Sequence, residues 1–132
     1  MVKVTTKILK SQSNKVGEIS LTSENILTFI PHSNTSKTNL EVLKNDLKTY
    51  IEWTKTTGPL PFLSDNRTLK HMTTDERLYV QSKIHLFASK GAIIINGGLS
   101  TFFFNLMMHL NQPRIPMKAF SDIDKAYEWL KT

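Results

Sequence analysis

The chain has 132 residues, no cysteine and a formal net charge of +6, which fits one globular domain able to bury its own core. The absence of cysteine excludes disulfides, thiolate metal sites and cysteine nucleophiles. The first residues form no apolar stretch of signal-peptide length, and no segment is long and apolar enough to span a bilayer. We therefore expect a cytoplasmic protein without membrane insertion.

The positive charge is spread along the chain. Residues 1–58 and residues 59–132 each carry a net charge of +3, and fourteen of the seventeen basic residues are lysines. A nucleic-acid footprint normally concentrates basic residues on one face and uses arginine for bidentate contacts. We therefore expect a solvated basic surface and no nucleic-acid partner.

Three short strands are predicted in the first third of the chain. Apolar and β-branched residues fill the segments 4–9, 16–21 and 26–30, and polar turn residues separate them. Tight turns between consecutive strands predict an antiparallel meander.

A helix, a strand, a second helix and a further strand follow. The first helix is predicted to begin at Thr38, with Glu41 in capping-box spacing, and to end at Gly58. Its apolar stripe consists of Leu40, Leu43, Leu47, Tyr50 and Ile51. A short strand occupies residues 61–64.

The second helix is predicted to open at Thr73, where Glu76 completes another capping box, and to end at Gly91. The next strand, Ala92–Ile95, is apolar throughout, which predicts cover on both of its faces. Strand, helix and strand in this order form a βαβ unit, which requires parallel pairing.

The last part of the chain adds two helices and one strand. Asn96-Gly97-Gly98 predicts a tight turn with positive φ, and binding of an anion at the next helix is the alternative. That helix is predicted to be capped by Ser100 and to end near Gln112. A strand at residues 117–120 and a final helix capped by Ser121 complete the chain.

These elements predict a single α/β domain over residues 1–132. Its mixed β-sheet has antiparallel N-terminal strands and a parallel remainder, covered by about four helices.

Several short motifs accompany this order of elements: Pro61-Phe62-Leu63-Ser64-Asp65-Asn66-Arg67, Glu76-Arg77, Ala92-Ile93-Ile94 and the ending Phe120 to Leu130. With them the chain resembles the STAS family, the fold of the bacterial anti-sigma-factor antagonists. More closely it resembles an uncharacterised bacterial branch labelled SpoIIAA-like. The resemblance covers nearly the whole chain from about Gly17 onward, and it implies a regulatory domain that binds a protein partner.

Phosphorylated members of that family carry Asp-Ser-Ser-Gly at the start of the helix after the central strand, where a partner kinase modifies a serine. The comparable stretch here is Met72-Thr73-Thr74-Asp75. The resemblance therefore implies Thr73 and Thr74 as possible phosphorylation sites. Helix capping by Thr73 is the alternative, and the capping-box spacing favours it.

The candidate partner surface follows the end of a strand, where open α/β sheets place their binding sites. It consists of Asp65, Asn66, Arg67, Thr73, Thr74 and Arg77. The structural alternative is that Asp65 caps a turn and Arg67 pairs with a carboxylate.

The helix after Gly98 is apolar on almost every side, and three consecutive phenylalanines cannot all face one direction. A buried helix, a homodimer contact and the wall of a pocket for a small apolar ligand or lipid are the alternatives. The candidate residues for the pocket or the dimer contact are Phe102, Phe103, Phe104, Met107 and Met108.

No catalytic grouping emerges from the residue pattern. The four histidines, at positions 32, 71, 85 and 109, are scattered, and no serine lies in a Gly-x-Ser-x-Gly motif. We therefore predict a protein without enzymatic activity, metal or cofactor. The leading functional hypothesis is a regulatory, protein-binding domain, and the alternative is a carrier or sensor of a small apolar ligand or lipid.

Overall fold

The computed structural model describes residues 7–70, 72–110 and 113–132. A six-stranded sheet in the spatial order β1-β2-β3-β4-β5-β6 forms its centre. The strands are β1 (Ile8–Ser13), β2 (Gly17–Thr22), β3 (Leu27–Pro31), β4 (Leu60–Asp65), β5 (Ala88–Ile94) and β6 (Met117–Phe120). The helices are α1 (Leu40–Trp53), α2 (Thr74–Lys83), α3 (Gly98–Leu110) and α4 (Ile123–Leu130), and a 3-10 turn, Ile84–Leu86, follows α2.

The pairing of the strands confirms the predicted fold class. β1, β2 and β3 pair antiparallel, and β3 to β6 pair parallel. The order of strands and helices along the chain is also the predicted one. Of the helices in the described ranges, none is long and apolar enough to cross a bilayer.

The sequential order of the parallel strands decides where the helices lie. Each crossover from β3 to β6 leads to the next strand in the same direction, and right-handed crossovers then place every connecting helix on one face. α1, α2 and α3 therefore share this face, which we call the front face. α4 follows the last strand and packs on the opposite, back face against β4, β5 and β6.

The two faces bury different side chains. On the front face the ring of Tyr50 stacks on Phe87 with centroids 4.9 Å apart, and Phe62 meets both rings edge-on at 5.4 and 5.7 Å. The Tyr50 hydroxyl donates to the carbonyl oxygen of Thr28 at 2.6 Å. On the back face the fully buried side chains are aliphatic, with Ile26, Leu63, Ala92 and Ile94 packed against Ala126 and Leu130 of α4, and Phe120, Tyr127 and Trp129 pack around them.

Strand β5 is buried on both faces, as its unbroken apolar run predicts. Ala92 and Ile94 are fully buried against the back-face helix, whereas Ile93, at 8% exposure, belongs to the front face. The buried part of β5 therefore matches the predicted segment Ala92–Ile95 except for Ile95, because the strand ends at Ile94.

The predicted start of α1 is wrong by one residue. Asn39, not Thr38, is the N-cap, and its side-chain oxygen accepts from the Val42 N–H at 3.2 Å. The predicted capping box with Glu41 is therefore absent. α1 also ends at Trp53 rather than Gly58.

The caps predicted for α3 and α4 are also wrong. α3 begins at Gly98, so Ser100 lies inside it. α4 is capped by Asp122 instead of Ser121, because the Asp122 carboxylate accepts from the backbone N–H groups of the first turn. Where two good capping residues are adjacent, spacing alone does not decide between them.

The predicted end of α2 is wrong by several residues. The helix ends at Lys83, and Ser89, Lys90 and Gly91 belong to β5. A Cβ at Gly91 would lie 2.6 Å from the Met117 sulfur. This glycine therefore marks a close approach between β5 and β6 rather than the end of a helix.

The first strand is also displaced from its prediction. β1 runs from Ile8 to Ser13 and is exposed along its whole length, whereas residues 4–6 of the predicted strand 4–9 lie outside the described residues. As an exposed edge strand β1 includes the polar residues that the sequence assigns to a turn.

Gly17→Ala is expected to lower the free energy of unfolding by about 2–3 kcal/mol, since overpacking is costly where backbone cannot yield. A Cβ at Gly17 would lie 2.5 Å from the Ile30 carbonyl oxygen and from the Pro31 Cα. Urea unfolding measures the effect. The matched control is Gly98→Ala, whose Cβ would meet nothing within 4 Å. Equal stability of the two variants would contradict this packing at β2 and β3.

Candidate functional site: a cleft between α2 and α3

The front face is not evenly covered by its three helices. α1 packs against α2, whereas α3 packs against β6 at the far edge of the sheet. A cavity of about 840 Å³ lies between them. Pockets for small molecules typically span about 300–1,000 Å³, so this cleft has the size of a ligand site.

Asn105 ties α3 to the edge of the sheet. Its side-chain oxygen accepts from the Ala119 N–H at 2.7 Å, and its amide nitrogen donates to the Ala119 carbonyl oxygen at 3.2 Å. Ala119 lies in the edge strand β6, whose outer peptide groups have no neighbouring strand in the sheet. The Asn105 amide takes the place of such a strand and holds α3 beside β6.

The cleft has an apolar floor and apolar walls. Phe62, Ile93 and Met117 line it from β4, β5 and β6, and Tyr50 and Phe87 line it as well. The α2 side contributes Val80 and Ile84, and the α3 side contributes Phe104, Met107 and Met108. With Met72, four of the five methionines of the chain line this cleft, and methionine adapts readily to ligands of different shape.

The predicted pocket residues of α3 take different positions. Phe104, Met107 and Met108 line the cleft, whereas Phe102 is 60% exposed and does not line it. The side chain of Phe103 lies outside the described part of the chain. Of the three alternatives for this helix, complete burial does not hold, because Leu106 and Met107 are also exposed.

Four polar side chains line the end of the cleft near the carboxyl ends of β3 and β4. They are Thr38, Ser64, Asn66 and Arg77. The Ser64 hydroxyl donates to the Asn66 side-chain oxygen at 2.5 Å. The Thr38 hydroxyl is buried and has no hydrogen-bond partner in the described part of the chain. At the opposite end of the cleft, the Arg114 Nη1 lies 3.1 Å from the His85 Nε2.

Asp46 is a buried acid on the α1 side of the cleft, with 2% exposure. Its carboxylate accepts from the Asn14 side-chain amide at 2.9 Å. Burial raises the pKa of Asp46 from 3.8 to about 6, and the hydrogen bond from Asn14 opposes this rise. The Asn14 side-chain oxygen also accepts from the Val16 and Gly17 N–H groups, so Asp46 connects α1 to the β1–β2 turn.

Asp65 and Arg67 of the predicted partner surface bind each other. Two guanidinium nitrogens of Arg67 donate to the Asp65 carboxylate at 2.9 and 2.7 Å, and the Arg67 N–H donates to it at 3.1 Å. Burial alone raises the pKa of Asp65, but these bonds outweigh it and the pKa is lowered from 3.8. The turn cap and the ion pair proposed as the structural alternative are both present.

Thr73 caps α2, as the spacing predicts. Its hydroxyl accepts from the Glu76 N–H at 3.1 Å, and the Glu76 carboxylate accepts from the Thr73 N–H at 2.8 Å. Thr74 is exposed in the first turn of the helix. Phosphorylation of either threonine remains a prediction.

The turn after β5 is also confirmed, since Gly97 has φ of 82°.

Among the histidines, His71 lies outside the described residues. In the ranges that the structure covers, no three acidic or histidine side chains are grouped closely enough to hold a metal ion.

The fold has a counterpart among solved structures. An uncharacterised protein of the DUF3478 family from Shewanella loihica PV-4, described as having a SpoIIAA-like fold, matches with a TM-score of 0.56. The two are 16% identical, and the match covers 95% of this chain and 93% of the other. This likeness concerns the fold alone, and it confirms the SpoIIAA-like fold that the STAS resemblance implies.

The chain belongs to a domain family of unknown function, DUF7793, whose family model matches residues 19–132. Among curated proteins, no relative matches.

The sequence predicts only a few of the residues that line the cleft. The predicted site residues that do line it are Asn66, Arg77, Phe104, Met107 and Met108. One signal was available, because Asp46 lies on the apolar stripe of α1 between Leu43 and Tyr50. An acid at a core position of an amphipathic helix is unusual enough to mark a site.

Asp46→Asn is expected to stabilise the protein above about pH 6. The pKa of Asp46 is raised on folding from 3.8 to about 6, so the folded state resists ionisation and this group costs stability as the pH rises through that interval. The stability gained by the variant should therefore grow by about 1–3 kcal/mol between pH 4 and pH 7.

Urea unfolding across this pH range measures the difference between variant and parent. Glu52→Gln, an exposed carboxylate on the same helix, is the control and should show little pH-dependent gain. A difference for Asp46→Asn that stays flat with pH would contradict the burial of this acid.

Thr73→Ala is expected to lower the free energy of unfolding by ~1 kcal/mol, because it removes the cap of α2. Thr74→Ala, one residue later in the same sequence context, should change it by no more than about 0.5 kcal/mol. Denaturant titration of both variants separates the two roles. Equal losses would show that the capping box does not stabilise this helix.

Proposed function

We propose that the protein binds a small, elongated and largely apolar ligand in the cleft between α2 and α3, as a carrier or sensor. The observation that carries this proposal is the cavity of about 840 Å³ with a floor of Phe62, Ile93 and Met117. The proposed role is non-enzymatic, since binding requires no bond to be made or broken.

Burial of hydrocarbon supplies the affinity in this proposal. Each methylene group removed from water contributes about 0.8 kcal/mol, which corresponds to roughly a fourfold change in affinity. The floor and walls are held in place by the packed rings of Tyr50, Phe62 and Phe87 and by the Asn105 bonds to β6. Little of the affinity is then lost to ordering the site.

A homologous series of straight-chain alcohols, titrated calorimetrically, tests the proposal. Affinity should rise about fourfold for each added methylene until the chain fills the cleft, and then level off. Met108→Trp should abolish binding, because it places a large ring at a residue that lines the cleft. Leu106→Trp is the matched control on the same helix, since Leu106 is exposed and does not line the cleft.

Two outcomes would contradict the proposal. One is the absence of binding for every chain length, and the other is an equal loss of affinity in the Met108 and Leu106 variants. Unchanged unfolding curves for both variants establish that a loss of binding reflects the cleft and not misfolding.

A regulatory, protein-binding role is the second candidate function. The observation that favours it is a set of exposed side chains in and just before the first turns of α2: Arg77, its neighbour Leu78 at 54% exposure, and Met72 at 37%. Exposed apolar residues beside a cation are typical of interface anchors. Binding of a protein at this patch should be lost in Leu78→Asp, whereas the affinity for alcohols should be unchanged. Homodimerisation through α3 also remains a prediction.

A further inference from the structure

We infer that the ligand is an amphiphilic anion, a hydrocarbon chain with a single acidic head group, and that Arg77 binds this head group. The inference rests on the proposed function and adds the chemical class of the ligand and its orientation. It places the head group at the polar end of the cleft and the chain along the apolar floor.

The charges of the lining favour an anion. Among the described residues, the charged side chains that line the cleft are Asp46, Arg77 and Arg114, so cations exceed anions by one there. An acidic head group balances this excess, whereas an amine would add to it. Electrostatic complementarity of this kind selects among ligands of equal hydrocarbon content.

Arg77 is the available cation. No hydrogen bond or ion pair of its guanidinium is found within residues 7–70, 72–110 and 113–132, whereas Arg67 is bound by Asp65 and Arg114 contacts His85. A guanidinium offers a planar set of donors that matches a carboxylate or phosphate. Arg77 is exposed at the rim of the cleft. Its guanidinium therefore stays hydrated until a head group binds it, and no unpaired charge is buried.

Thr38 supplies an independent sign of a ligand at the same end. Its hydroxyl is buried and lines the cleft, yet it has no partner among the described residues. A buried hydroxyl that has lost its water and found no hydrogen-bond partner is destabilising. An oxygen of the head group, held by Arg77, would accept the hydrogen of this hydroxyl and remove that cost.

The cleft has the direction that an amphiphile requires. Arg77 lies in the first turn of α2 and Ile84 follows its end, so the helix separates them by roughly 10 Å at 1.5 Å per residue. Along that path the lining changes from Thr38 and Asn66 to Ile84, Phe87 and Met117. When the head group is bound at Arg77, the hydrocarbon chain of the ligand therefore lies against apolar side chains.

Calorimetric titration with three probes of equal chain length tests this inference. The probes are decanoate, decanol and decylamine, at pH 8, with the parent protein, Arg77→Gln and Arg114→Gln. The parent protein should bind decanoate about tenfold to a hundredfold more tightly than decanol, as expected for a charge-assisted hydrogen bond. Decylamine should bind most weakly.

The two arginine variants locate the head group. Arg77→Gln should bring the decanoate affinity down to that of decanol, whereas Arg114→Gln should preserve most of the preference. Decanol affinity should be the same in all three proteins, which shows that the cleft is intact in each variant.

Each contrary result identifies what is wrong. Equal affinity of the parent protein for decanoate and decanol would overturn the anion inference and leave the proposed function standing. Loss of the preference in Arg114→Gln alone would overturn the assignment to Arg77. Absence of binding by all three probes would overturn both the inference and the proposed function.

Discussion

The attachment of α3 to the edge of the sheet is the interaction on which the site depends. β6 is the last strand, and its outward-facing peptide groups need hydrogen-bond partners. Asn105 provides both partners for Ala119 from within α3. The helix is therefore fixed beside the sheet edge instead of being free to close against α2, and the space between the two helices stays open.

The strand order makes this space possible. Four consecutive parallel strands with right-handed crossovers place α1, α2 and α3 on the front face. α1 and α2 pack together, and α3 follows the far edge, so the cleft forms over β4, β5 and β6. On the back face α4 lies across the same three strands. The architecture thus provides a scaffold on one side and a candidate site on the other.

The candidate site carries features that a stability-optimised core would lack. Asp46 is buried with a raised pKa, the Thr38 hydroxyl is buried without a partner in the described residues, and Phe102 and Leu106 are exposed. Natural proteins keep such costs where a function requires them. Two of these three features line the cleft, which accords with a ligand site there.

Local signals in the sequence predict much of the fold. The capping box at Thr73 and the apolar run of β5 identify their elements because each depends on neighbouring residues. β1 could not be placed in this way, since an exposed edge strand needs no apolar pattern. Gly91 resembles a helix terminator until the position of Met117 is known.

The cleft was less predictable than the fold, because it depends on the separation of helices that are distant in sequence. The composition of α3 indicates an unusual helix, but only the tertiary structure shows that Met108 faces a cavity and Leu106 does not. Asp46 was the one residue of the cleft that the sequence could have indicated, because an acid lies there on the apolar stripe of α1. Asp65 and Arg67 lie where a partner site is expected, and the structure shows them bound to each other.

Methyl NMR of the protein with saturating decanoate tests the central claim, a ligand-binding cleft on the front face, most directly. Labelled methyl groups of methionine, isoleucine and leucine report on both faces of the sheet at once. The account predicts intermolecular NOEs and shift changes at Met108, Met117 and Ile93, which line the cleft, and none at Ile26 and Leu130, which pack on the back face. Contacts at Ile26 and Leu130, or an even spread of small changes over both faces, would contradict it.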